Sequence, residues 1–265
     1  MSKTCLQGFM ILMSAMSAIL VMSAGVSCNT DTMSHQRTTP DIVMPGDTLL
    51  FTVTEDGDTL TLATEPAMRS GRLTEQDYLE VAKELGVEVA TIKAVVDIEA
   101  GRAHQGFWTE GKPIINFDLS VYQQAAKKHG VNLAQARKTH PVIFARPDSK
   151  KYGSQQAGQQ ARLDAARQIN SAAGIEGTFW GMFQLGGFNW KICGTDSPEH
   201  FVELMSRSER DQLELFAIFV KNTGMLQSLR DKNWSAFARR FNGNGYARKG
   251  YHTRLAAAYA RHKKK

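Results

Sequence analysis

Residues 90–101, ATIKAVVDIEAG, place one acid where it could do chemistry. Ile92, Val95, Val96 and Glu99 recur at helical spacing and share one face, which is apolar except for its last member. A helix so patterned carries Glu99 to the edge of the interior. There, loss of hydration disfavours the carboxylate and holds the proton near neutral pH. That is the state a general acid needs. A terminal Glu turned to solvent or paired with Lys is the competing reading. Gly101 is expected to stop the helix in a left-handed conformation.

Three further motifs carry side chains suited to sugars. The first, Thr178-Phe179-Trp180-Gly181-Met182-Phe183-Gln184, has a glycine for close backbone approach and flat aromatic faces. The second, Phe241-Asn242-Gly243-Asn244-Gly245-Tyr246, is an amide-rich turn able to bond hydroxyl or acetamido groups. Tyr251 is the third. Each alone has a plain alternative: packing aromatics, a turn, a core tyrosine. The irregular segment 101–122 includes a short strand over 114–117, which would deliver Asp118 near the end of the Glu99 helix.

The elements that must position these residues are helices. Thr74 with Asp77 has capping-box spacing and predicts a helix ending at Gly86. Ser120 is read as the cap of a helix that Gly130 ends. Further helices are predicted over 155–173, 198–207, 208–222, 233–241 and 251–261. The basic end, Arg261 to Lys265, reads as a frayed, solvated terminus. No coiled-coil heptad, phosphate loop, HExxH or Cys/His metal spacing is present.

Upstream, 1–27 has a thin basic start, a short apolar run and small residues, the pattern of a secretory signal. Gly25-Val26-Ser27-Cys28 is similar to a lipobox, with Cys28 the residue to be lipidated and ordinary signal cleavage the alternative. Residues 28–72 read as a tether followed by a β-hairpin around Glu55-Asp56-Gly57-Asp58, and 73–265 as the main domain. With Cys5 removed and Cys28 acylated, Cys193 has no partner and reads as a buried small hydrophobe. The 265 residues carry a formal net charge of +6, which favours anionic partners. No Arg-rich run with interleaved aromatics points to nucleic acid.

In chain order, Glu99, Gly181-Met182-Phe183-Gln184, Phe241-Asn242-Gly243 and Tyr251 resemble the motif order of lysozyme-like peptidoglycan-cutting enzymes. Soluble lytic transglycosylases read Glu-Ser, Gly-Leu-Met-Gln, Ala-Tyr-Asn and a late Tyr. The phage-endolysin type N-acetylmuramidases are closer. They carry Val-Glu-Ser with a following Gly-Phe, Gly-Arg-Pro leading to Leu-Phe-Glu-Arg-His, Ser-Trp-Gly-Leu-Phe-Gln, and Tyr-Asn-Gly with a late Tyr. Here the counterparts are Ile98-Glu99-Ala100 and Gly106-Phe107, then Gly111-Lys112-Pro113 leading to Asn116-Phe117-Asp118, Phe179 to Gln184, and Phe241-Asn242-Gly243. Ala100, Phe179 and Phe241 depart from the family's Ser, Ser and Tyr. Asp118 stands where the family has Glu, and no Arg-His pair follows it.

The resemblance implies an all-α, mainly helical, lysozyme-like domain that hydrolyses the β-1,4 bond between N-acetylmuramic acid and N-acetylglucosamine. Glu99 would be the acid and Asp118 the second carboxylate. Trp180, Gln184, Asn242, Tyr246 and Tyr251 would line the groove. Neither metal nor organic cofactor is implied. The partners expected are peptidoglycan strands and, through a lipid anchor, the membrane of the cell envelope, with the protein a monomer. A lytic transglycosylase and a catalytically silent peptidoglycan-binding lipoprotein are the alternatives.

Overall fold

The computed structural model describes residues 51–53, 59–61, 71–100, 105–145 and 155–264. The signal, the tether, Cys28 and Gly101 lie outside the described residues. The chain divides into two units, residues 14–68 in one and 69–265, with 1–13, in the other. In the smaller, β1 (Phe51–Val53) and β2 (Thr59–Thr61) pair antiparallel with Phe51 opposite Thr61, as the alternation around the acidic turn predicts.

The larger unit is mainly helical. It begins with α1 (Glu75–Leu85), where Thr74 and Asp77 close the predicted capping box and Gly86, at φ 62°, stops the helix. α2 (Val89–Glu99) follows, then a hairpin of β3 (Phe107–Thr109) and β4 (Lys112–Pro113). β5 (Ile115–Phe117) leads into α3 (Leu119–Lys128), α4 (Leu133–Thr139) and a short 3-10 turn. α5 (Gln155–Ile169) and α6 (Ser171–Glu176) come next. β6 (Thr178–Trp180) and β7 (Leu185–Gly186) complete an antiparallel sheet in the order β5-β6-β7. The chain ends with α7 (Pro198–Arg207), α8 (Glu209–Asn222), α9 (Leu226–Arg230), α10 (Trp234–Asn242) and α11 (Tyr251–Lys263).

Local chemistry explains where expectation and structure part. The helix predicted over 155–173 is two, because Asn170 leaves the helical conformation and caps α6 through the Ala173 N–H. Asp118, not Ser120, caps α3. The basic end is docked rather than frayed. Arg261 and His262 reach Asp97 on α2 at 3.2 and 2.8 Å, and Lys263 pairs with Glu88.

One core runs through the helical unit, built on Val81, Leu85, Ile92, Val95, Val96, Phe201, Phe216 and Phe237. Burial of each such side chain contributes about 1.5–3 kcal/mol. Cys193 belongs to it as an unpaired thiol, and burial pushes its pKa up to about 12. The open edge of β5 is closed by amides from α5. The Gln156 side chain exchanges two 3.0 Å bonds with the Ile115 backbone, and Gln159 Oε1 accepts from the Phe117 N–H. These bonds replace the strand partner that an edge lacks.

Candidate active site

Glu99 is the last residue of α2, and Ala100 closes the helix through the Val96 carbonyl at 2.9 Å. Beneath it Ile92, Val95 and Val96 are sealed in the core, as the spacing requires. Glu99 as a residue keeps part of its contact with solvent, but protein atoms crowd its carboxyl closely. Loss of hydration raises its pKa from 4.5 to about 7. Two groups oppose that rise. Asn242 Nδ2 donates to Glu99 Oε1 at 3.0 Å, and the Arg254 charge favours the carboxylate. Desolvation wins, so the acid is about half protonated near neutrality.

Its partners come from the last two helices. Asn242 ends α10, where Gly243 at φ 76° turns the chain. Tyr251 opens α11, which packs along α2 and is pinned there by the Asp97 and Glu88 contacts. Burial, then the nearby Glu99 charge, raise the Tyr251 phenol pKa, and the Arg254 guanidinium lies 5.5 Å from its ring. Tyr246 sits in the turn between the two helices. Its N–H donates to Gly243 O and its carbonyl accepts from the Tyr251 N–H, both at 3.1 Å. Its ring meets His252 edge-on at 5.4 Å. Glu99, Asn242, Tyr251 and Arg254 therefore form one cluster, with Tyr246 in its supporting turn. Arg254 was not among the sequence candidates, although its position one helical turn after Tyr251 is the signal that could have found it.

Gln184 lies in the turn between β6 and β7, at φ 49°. Its Nε2 donates to the Gly181 carbonyl at 2.9 Å and reaches that of Ile114 at 3.5 Å. The buried Gln212 amide clamps this turn, Oε1 accepting from the Met182 N–H at 2.8 Å while Nε2 donates to Gly106 O at 3.2 Å. Gly181, at φ 68°, is required here, since a β-carbon would fall 2.6 Å from Gln212 Oε1.

Trp180 corrects an expectation. It is 2 % exposed, donates its indole N–H to Ile175 O at 3.2 Å and meets Phe201 edge-on. It offers no face to a sugar. Pairing fixes its direction: Phe179 opposes Asn116 and Gly186, so β6 turns Thr178 and Trp180 to the core. Phe183, stacked on Phe216 with centroids 4.3 Å apart, is buried too. Trp180→Ala should therefore cost about 3–5 kcal/mol of stability in urea unfolding. An unchanged unfolding midpoint with weakened ligand binding would return Trp180 to the groove.

Asp118 sits after β5, and its Oδ1 accepts from the Ser120 and Val121 N–H groups at 2.8 and 3.0 Å. That is a helix cap. Among the described residues neither Asp118 nor Gln184 bonds to Glu99, and Asp118 Oδ2 has no hydrogen-bond donor. Among these residues no group of three or more His, Cys, Asp or Glu side chains could hold a metal ion.

A family model described as Muramidase, N-acetylmuramidase, matches residues 88–263, a span that takes in Glu99, Gln184, Asn242 and Tyr251. Among solved structures, the Burkholderia AP3 phage endolysin is similar at 32% identity and a TM-score of 0.60, over 73% of this chain and 71% of that one. No curated protein gives a significant match.

Proposed function

Since the chain belongs to the N-acetylmuramidase family, we propose that it hydrolyses the β-1,4 bond between N-acetylmuramic acid and N-acetylglucosamine in peptidoglycan. The observation that carries the proposal is the Glu99 carboxyl, desolvated to a pKa of about 7 and held by Asn242. Protonated Glu99 gives its proton to the glycosidic oxygen. The bond from the anomeric carbon to that oxygen breaks with oxocarbenium character. Water then supplies the new hydroxyl at the anomeric carbon, and its released proton balances the one Glu99 gave. Asn242 orients the acid, because a 3.0 Å bond to Oε1 leaves the other oxygen to carry the proton. Gln184, Tyr246 and Tyr251 serve as groove residues for hydroxyl and acetamido groups.

Asp118 is the second carboxylate in this scheme. One of its oxygens is committed to the α3 cap, so Oδ2 is the atom available to steer water or face the cation. The same capping bonds support a rival, a lytic transglycosylase working with a single acid and closing an anhydro ring on the product. Digestion of purified peptidoglycan separates the two. Reducing N-acetylmuramic acid ends support hydrolysis, and anhydro ends would establish the rival. No released fragments from a sample that binds the polymer would identify a silent binding protein.

Export follows from the substrate, and the proposed route is the N-terminal signal with lipidation at Cys28. Two acyl chains, each adding about 0.8 kcal/mol per buried methylene, suffice for stable anchoring. No helix among the described residues is long and apolar enough to cross a membrane. Mass spectrometry of the mature protein should find acylated Cys28 at the N-terminus. A start elsewhere without lipid would remove the anchor.

A further inference from the structure

The β3–β4 hairpin, which follows Glu99 in the chain, carries Trp108 and Lys112 as neighbours across its two strands. Phe107 pairs with Pro113 and Thr109 with Lys112, so Trp108 is the extra residue of a β-bulge. Bulges re-aim side chains, and at this one Trp108 is 39 % exposed, against 2 % for Trp180. Gly111, at φ 68°, makes the turn, and the Lys112 ammonium stands 5.9 Å from the Trp108 ring.

The base of the hairpin is fixed. The Gly106 N–H donates to the buried Glu209 carboxylate at 2.9 Å, and Gly106 O accepts from Ile114 N–H at 2.9 Å and from Gln212 Nε2 at 3.2 Å. A β-carbon on Gly106 would lie 2.5 Å from Gln212 Oε1, so a larger residue would push the Gln212 amide out of these bonds. Because Gln212 also clamps the Gly181–Gln184 turn, the hairpin and that turn share one anchor. An exposed indole on a rigid, anchored arm offers a preformed flat face, which sugars stack upon at low entropic cost.

We propose that Trp108 and Lys112 form a glycan-binding arm for peptidoglycan, Trp108 stacking on a pyranose ring and Lys112 pairing with a carboxylate. The muramic acid lactyl group, or the peptide built on it, supplies that carboxylate. The chain's net charge of +6 favours the same polymer. This assignment rests on the peptidoglycan reading above.

Binding measured on the full chain carrying Glu99→Gln, which leaves the polymer uncut, keeps the two readings apart. The probes are purified sacculi and uncharged chitohexaose. Adding Trp108→Ala should weaken binding to both by about tenfold, with an unchanged unfolding midpoint, and Trp108→Phe should recover most of the loss. Lys112→Ala should weaken binding to sacculi alone, and the deficit should close at high salt. Equal affinity of Trp108→Ala and its parent for sacculi would overturn the arm while leaving the enzyme reading intact. So would a loss that Trp108→Phe does not recover or that tracks a lower unfolding midpoint. A Glu99→Gln parent that does not bind sacculi at all would overturn the peptidoglycan reading and the arm with it.

Discussion

Glu99→Gln is expected to lower the rate of glycan cleavage by about a thousandfold while leaving the protein folded and able to bind peptidoglycan. Gln is isosteric, and its oxygen can still accept the 3.0 Å bond from Asn242 Nδ2. It cannot give a proton to the leaving oxygen. The same substitution should raise stability, and the sign follows from the pKa. Folding raises the Glu99 pKa from 4.5 to about 7, so between those values the folded state holds a proton that the unfolded chain has lost. The wild type therefore carries a penalty that is absent below pH 4.5 and complete above pH 7. Partial solvent contact limits that penalty to roughly 2–3 kcal/mol at most. Urea melts of both proteins should coincide at pH 4 and separate at pH 8, the variant being the more stable. Coincidence at both values would mean that Glu99 is not desolvated, and wild-type cleavage by the variant would remove it from the chemistry.

Asp118→Asn should carry the next largest effect. Asn caps helices as well as Asp does, so the bonds to the Ser120 and Val121 N–H groups survive. Only the charge is lost. If Asp118 steers water or steadies the cation, cleavage of purified peptidoglycan falls by about a hundredfold or more at unchanged stability. A drop of less than about tenfold, equivalent to ~1.4 kcal/mol of barrier, would leave Asp118 as a cap only. It would also shift weight to a one-carboxylate mechanism, whose mark is the anhydro product.

Much of this site is written in local patterns. The spacing of Ile92, Val95, Val96 and Glu99 is a property of one helix, and it placed the acid without knowledge of any neighbour. Caps are equally local: Thr74 with Asp77 forms the bonds its spacing predicts, and Ser208 likewise caps α8 by accepting from the Asp211 N–H three residues on. What was not legible depends on pairing between distant segments. Three residues of strand do not say which face is buried, and only the register with β5 and β7 sends Trp180 inward. Asp118 could be read as chemistry or as a cap, because a carboxylate before a helix suits both. The docking of Arg261 and His262 on Asp97 needs α11 laid along α2, 164 and 165 residues apart in sequence, which no window of sequence reports. Trp108 and Trp180 look alike in sequence, each directly after a phenylalanine, and a one-residue bulge decides that the first faces solvent.

On the proposed mechanism Glu99 is the proton donor, its pKa raised to about 7 by desolvation so that about half of it holds a proton at neutral pH. The most direct test is the pH dependence of kcat/KM on soluble peptidoglycan fragments, which reports the free enzyme's essential acid. Cleavage should fall about tenfold per pH unit above a pKa near 7, because the donor is then ionised. Asn242→Ala, which removes the bond favouring the carboxylate, should move that limb to higher pH. An alkaline limb near 4.5, the value of a solvated carboxyl, or one that Asn242→Ala leaves in place, would contradict the claim.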